Sequence, residues 1–244
     1  MKKAIVVGAS SGIGREVALL LARQGWMVGI AARRTDKLTL LIQEVGENAV
    51  AAHIDVCAPD AGERLMQLIG QLGGMDLYFH ASGIGKQNPG LDMQTEQDTV
   101  KTNVEGFMRM VNAAFNWFAQ NGKGQIAVIS SIAGTRGLGP APAYSATKAF
   151  QNNYIEALEQ LANSRGLDIA FTDIRPGFVD TDLLAGGRYP MLMDKQKVAR
   201  SIVRAVLGRK HVCVIDYRYR VLTCLWKWVP RWLWRRFNLV GRTV

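Results

Sequence analysis

Seven short apolar runs recur along the 244 residues, near positions 3–7, 27–31, 49–54, 76–81, 125–130, 168–174 and 211–215, with helix-length segments between them. This alternation constrains the fold more than any other feature, because strands joined through crossover helices pair in parallel. A parallel sheet needs both of its faces covered. The expected architecture is therefore α/β: a doubly wound, seven-stranded parallel sheet with helices on both faces. A chain of this length can bury one substantial core, and no repeat or low-complexity linker divides it.

The first run, Ala4-Ile5-Val6-Val7, leads into Gly8-Ala9-Ser10-Ser11-Gly12-Ile13-Gly14, after which Val17, Leu20 and Leu21 follow at helical spacing. This order reads as strand, turn, helix. Glycines allow a tight turn and close backbone approach, and the amides at a helix start suit a pyrophosphate. The spacing is G-x-x-x-G-x-G. It differs from the G-x-G-x-x-G of other dinucleotide folds and from a phosphate loop ending in Gly-Lys and Ser or Thr.

Tyr144-Ser145-Ala146-Thr147-Lys148 sets a phenol and an ammonium four residues apart, on one face of a helix. A unit charge about 4 Å from a phenol favours the phenolate by up to about 4 kcal/mol at an effective dielectric near 20, so the expectation is a tyrosine whose pKa is drawn down toward neutral pH. Such a phenol can exchange a proton with a carbonyl or alcohol oxygen. Thirteen residues upstream, the apolar run Val128-Ile129 ends in Ser130-Ser131, at the kind of strand end where parallel sheets bind ligands.

In the order of these motifs the chain resembles the short-chain dehydrogenase/reductase family over about residues 3 to 216. The resemblance implies a Rossmann-type domain over 1–216, followed by a tail over 217–244. It makes Tyr144 the general acid/base, Lys148 its partner and the holder of the nicotinamide ribose, and Ser131 the group orienting the substrate oxygen. It also makes Asn103, in Lys101-Thr102-Asn103-Val104, the asparagine that interrupts a helix and helps hold a water-linked proton path to the lysine. Nucleotide contacts are implied at Gly8, Ser10, Ser11, Gly12, Ile13 and Gly14, at Arg33 and Arg34, at Asp55 and Val56, and at Ala81 and Gly83. Tyr144, Lys148, Pro176, Gly177, Val179 and Thr181 complete the set.

Cofactor choice is read at the end of the second run, Ile30-Ala31-Ala32-Arg33-Arg34. An acid there binds a ribose 2′-hydroxyl, and an arginine accommodates a 2′-phosphate. Ala32 takes the acid's place and two arginines follow, which points to NADP(H). Ser11 stands where many NADP-preferring relatives carry a base. His80 and Ala81 replace the usual asparagine pair, and Val7 replaces a frequent threonine. These departures touch cofactor-site architecture rather than proton transfer.

Between Phe178 and Asp194, Leu183, Leu184, Tyr189, Pro190, Met191, Leu192 and Met193 read as an apolar cover with a hinge at Gly186-Gly187, suiting a lipophilic carbonyl or alcohol. Steroid-like and acyl-chain substrates remain equally open. Residues 217–244 carry seven of the 30 basic residues and no acid, so they supply +7 of the net +10. On a helical wheel Val221, Leu222, Leu225, Trp228, Val229, Trp232 and Leu233 share one side and Lys227, Arg231 and Arg235 the other, with Pro230 as a kink or a new helix start. Such a segment suits the surface of an anionic membrane, or packs over its own active site or a neighbouring subunit. Nucleic-acid binding is not expected, because the charge is confined to the tail and no reading motif accompanies it.

Three scattered cysteines and three unpaired histidines point to reduced thiols and no metal site. The protein is expected to be cytoplasmic, with peripheral membrane contact as an option, and by resemblance a homo-oligomer, dimer or tetramer. A rival from another class is a non-catalytic NADP-sensing protein that presents its tail to a membrane or partner. Within the enzyme class, the rival uses NAD to oxidise a small polar alcohol.

Overall fold

The computed structural model describes residues 1–184 and 189–237. Seven strands form one sheet in the order β3-β2-β1-β4-β5-β6-β7, with every pairing parallel. They are β1 (Lys3–Val7), β2 (Met27–Ala32), β3 (Ala49–His53), β4 (Leu77–His80), β5 (Lys123–Ile129), β6 (Asp168–Arg175) and β7 (Val212–Val214). The helices are α1 (Gly12–Arg23), α2 (Thr35–Val45), α3 (Ala61–Leu72), α4 (Met93–Val100), α5 (Phe107–Asn121), α6 (Pro142–Ser164), α7 (Lys195–Leu207), α8 (Tyr217–Trp228) and α9 (Arg231–Trp234). The expected seven-stranded sheet is present. Its last strand is shorter than the apolar run suggested, because β7 is an edge strand that pairs with β6 through only three residues.

Successive residues of a strand point to opposite faces, and β1 shows why its sequence is apolar throughout. Ala4 and Val6 pack with Val17 and Leu21 of α1 and with Ile202 and Val206 of α7. Ile5 and Val7 pack with Leu65 and Leu68 of α3, Phe107 and Phe115 of α5, and Ile155 of α6. Burying each valine, leucine, isoleucine or phenylalanine among them contributes about 1.5–3 kcal/mol. All strands run the same way, so the turns that follow them gather at one edge of the sheet, the usual ligand crevice of this architecture.

Two features bear on that edge. Between α4 and α5, residues Lys101–Gly106 form a π-helical turn, the interruption expected around Asn103, and Asn103 is fully buried within it. The tail differs from its helical-wheel reading. Pro230 does begin a second helix, but the apolar residues of α8 lie on two sides instead of one. Tyr219, Leu222 and Trp226 pack against the body, while Val221, Leu225 and Trp228 are exposed. The wheel grouped Leu222 with Val221 because it has no way to know which apolar stripe the body covers.

Candidate active site

The glycine turn after β1 is built as its spacing requires. Gly8 and Gly12 have φ of +90° and +56°, and a side chain on Gly14 would come within 2.3 Å of the Gly8 carbonyl oxygen. Helix α1 begins at Gly12 without a side-chain cap from Ser11, so its first amides are left for another acceptor. Arg34, at the start of α2, reaches across and donates from Nη2 to Ser11 Oγ (2.7 Å) and Ser10 Oγ (3.0 Å). The described ion pairs give neither Arg33 nor Arg34 a carboxylate. Open helix amides beside uncompensated guanidinium groups fit a phosphate-bearing nucleotide.

Of the other implied nucleotide contacts, Ala81 and Thr181 stand against this turn. A side chain on Gly14 would lie 3.0 Å from the Ala81 methyl, and Ala81 N donates to Val7 O (2.8 Å). Asp55 and Val56 follow β3. An Asp55 carboxylate oxygen accepts from Cys57 N (3.0 Å), and Val56 O accepts from Arg109 (2.8 Å). Beyond β6 the segment Pro176 to Thr181 crosses back, bringing the Thr181 methyl 3.3 Å from the Cβ position of Gly12. Val179 is buried and bridges in parallel to Met193. The expected hinge, Gly186-Gly187, lies outside the described residues, as does the side chain of Leu183.

Ser131, Tyr144 and Lys148 meet at the end of β5. Ser131 Oγ accepts from Ala133 N (3.1 Å) and donates to Pro176 O (3.5 Å), tying the serine to the returning segment. The half-buried Tyr144 ring lies on Gly85, where a side chain would come within 2.6 Å of it. Lys148 is buried and its Nζ stands 5.8 Å from the centre of the Tyr144 ring. That ammonium donates to Ile129 O (3.0 Å) and to Gln151 Oε1 (2.9 Å), which leaves one of its three N–H groups to point elsewhere. Asn103 Oδ1 accepts from Ile84 N (2.9 Å), and its Nδ2 donates to Ile84 O (2.7 Å), fixing the loop that carries Gly83.

The acidified phenol expected from the sequence is not what this arrangement produces. Burial raises the Tyr144 pKa above its ordinary value, and the neighbouring Ser131 hydroxyl offsets this only in part. Burial also lowers Lys148 to about 8, against the pull of the Asp173 carboxylate. The reason is geometric. Lys148 directs two donors at Ile129 and Gln151 and lies against the phenol's ring.

The chain matches the short chain dehydrogenase family over residues 2–189. It therefore belongs to the short-chain dehydrogenases. An uncharacterized oxidoreductase of Myxococcus xanthus is 36% identical over 196 residues, covering 78% of this chain and 77% of the relative. An uncharacterized oxidoreductase of Listeria monocytogenes is 32% identical over 75% of this chain and 76% of its own. One from Mycobacterium tuberculosis is 28% identical and covers 96% of this chain and 93% of its own. This short-chain dehydrogenase is thus an oxidoreductase with a single Rossmann-like α/β domain.

In this short-chain dehydrogenase, sequence reasoning missed Gln151. The residue is fully buried; its Nε2 donates to Asn103 O (2.8 Å) while its Oε1 accepts from Lys148. An amide thus spans the gap between Asn103 and Lys148 for which the sequence suggested a water-linked path. The signal was available: Gln151 sits three residues after Lys148, one turn along the same helix face. Gln151→Leu removes an acceptor of the charged amine, so the Lys148 titration followed by NMR moves below about pH 8. Gln151→Glu adds an anion and moves it upward by about one pH unit or more. Identical midpoints in wild type and both variants would exclude a Gln151–Lys148 bond in solution.

Proposed function

We propose that this protein is an NADP(H)-dependent carbonyl reductase acting on a lipophilic ketone or aldehyde. The observation that carries this reading is the meeting of Ser131, Tyr144 and Lys148 beside a glycine turn flanked by uncompensated arginines. NADPH supplies a hydride to the carbonyl carbon. The chain's own residues manage the other half of the reaction. Ser131 orients the substrate oxygen, and Tyr144 gives its phenolic proton to that oxygen as the carbonyl becomes an alcohol. A phenol whose pKa burial keeps high stays loaded with that proton, which suits reduction as the cellular direction. Lys148 holds the ribose through its remaining N–H, and Asn103 fixes the loop above it.

The preference for NADP(H) rests on Arg33 and Arg34. Arg34 is already drawn to Ser10 and Ser11, and the end of β2 at Ala32 offers no acid to a ribose hydroxyl. A hydrogen bond to a charged group contributes about 1.5–3 kcal/mol. Arg34→Ala therefore raises the NADPH Kd about tenfold or more and leaves NADH binding nearly unchanged. An equal loss for both cofactors would argue against a 2′-phosphate contact.

The lipophilic substrate is supported by the cover next to the site. Phe178 and Tyr189 pack with ring centres 4.8 Å apart and their planes tilted by 35°, and Leu192 is exposed. A homo-oligomer, dimer or tetramer, belongs to the same reading by likeness to the family. The test is NADPH consumption across carbonyl compounds from small polar to steroid and long-chain acyl, with NADH as control. Turnover of one lipophilic class with NADPH supports the reading. Turnover confined to NADH and small polar alcohols would replace it.

A further inference from the structure

We propose that the outer face of the tail docks on an anionic bilayer surface and holds the mouth of the site against it. The tail's inner face is already occupied. Tyr219 is 1% exposed, its ring packs where a side chain on Gly177 would stand, and its hydroxyl donates toward Pro190 O (3.0 Å) and Met191 O (3.1 Å). Arg136 caps the C-terminal end of α8, donating to the carbonyls of Trp226 (2.8 Å), Lys227 (2.9 Å) and Val229 (2.8 Å). Trp234 Nε1 donates to Gly137 O (2.8 Å). The tail is thus seated on both rims of the site, the loop between Ser131 and Tyr144 and the segment 189–193.

Its opposite face remains apolar although nothing in this chain covers it among the described residues. Val221, Leu225 and Trp228 recur at i, i+4 and i+7 along α8 and are 56%, 60% and 82% exposed, and Trp232 beyond Pro230 is 61% exposed. Around this stripe stand Lys227, Arg231, Arg235 and Arg236, with no ion-pair partner among the described residues and no acid anywhere from 217 onward. A second copy of the same face would set these cations against their own kind, and the rest of the chain is itself net positive. An acidic lipid surface complements both halves of the pattern: tryptophan and leucine enter the interface, and arginine meets the headgroups. The contact is peripheral, since no described helix is long and apolar enough to cross a membrane.

The test uses the full chain and no enzymatic assay, so its outcome is independent of the proposed activity. Sedimentation is measured with vesicles of phosphatidylglycerol and phosphatidylcholine in equal parts, and with phosphatidylcholine alone. Binding is expected to the first and not to the second, with tryptophan emission shifting to the blue. At about 1 kcal/mol per base near such a surface, replacing Arg231 and Arg235 together by glutamine weakens binding about 30-fold. Trp228→Ala with Trp232→Ala weakens it about tenfold or more, and both side chains are exposed enough for the variants to fold. No binding to the anionic vesicles, equal binding to both, or a dimer that dissociates on Trp228→Ala each overturns the proposal, the last by assigning the face to a second copy.

Discussion

Tyr144→Phe is expected to bind NADPH as wild type does and to lose turnover by about 10²–10⁴-fold, the scale of a positioned proton donor. The substitution keeps the ring that lies on Gly85 and against Lys148, and removes only the oxygen. Lys148 does not depend on that oxygen, because Ile129 O and Gln151 already fix it. Cofactor affinity and chemistry should therefore separate cleanly. They are measured by NADPH fluorescence titration and by single-turnover reduction of the best carbonyl substrate. A variant retaining a tenth or more of wild-type turnover would remove Tyr144 from the proton-transfer role.

The second large effect is on stability in acid and comes from His80. This histidine closes β4 fully buried, with Nδ1 hydrogen-bonded to the buried Tyr78 hydroxyl (2.8 Å) and Nε2 without a partner among the described residues. Burial first, and the Lys148 charge second, lower its pKa from 6.5 to about 3. In the folded protein His80 therefore stays neutral across a range in which the unfolded chain takes up a proton. Stability is full above pH 6.5, falls as pH drops through that range, and the whole cost is reached near pH 3. At 1.36 kcal/mol per pH unit the cost is several kcal/mol, about 5 at most. Urea unfolding at pH 7 and pH 4.5 measures it. His80→Asn, which has no such proton to take up, should show the smaller difference; an unchanged acid dependence would mean that other groups carry it.

The fold was legible because its determinants are local and repeated. Each strand announces itself as an apolar run, and the turn residues Gly8, Gly12 and Gly14 fix both the backbone and the place of the first helix. Ser131, Tyr144 and Lys148 were legible for the same reason, being carried by a strand end and by one helix face. What escaped depends on contacts between distant segments. The charge state of Tyr144 is set by burial and by where Lys148 points, and Lys148 points at a carbonyl nineteen residues upstream and at Gln151. Arg136, which no motif singled out, terminates a helix that begins some eighty residues later. Arg34 was expected as a nucleotide contact, but its bond to the glycine turn, across 23 residues of sequence, was not.

The Tyr219 hydroxyl carries a consequence for how relatives of this chain differ. One phenolic oxygen accepts from Phe178 N and donates to the carbonyls of Pro190 and Met191, so it clasps both ends of the segment that covers the site. Yet it lies outside residues 2–189, the stretch shared with the family. On the proposed reading the stretch matched to the family holds Ser131, Tyr144 and Lys148, while the end of the chain holds the segment beside them. Substrate preference can then drift between relatives while the chemistry stays fixed, and grafting the terminal segment of one onto another becomes a way to exchange selectivity without touching Ser131, Tyr144 or Lys148.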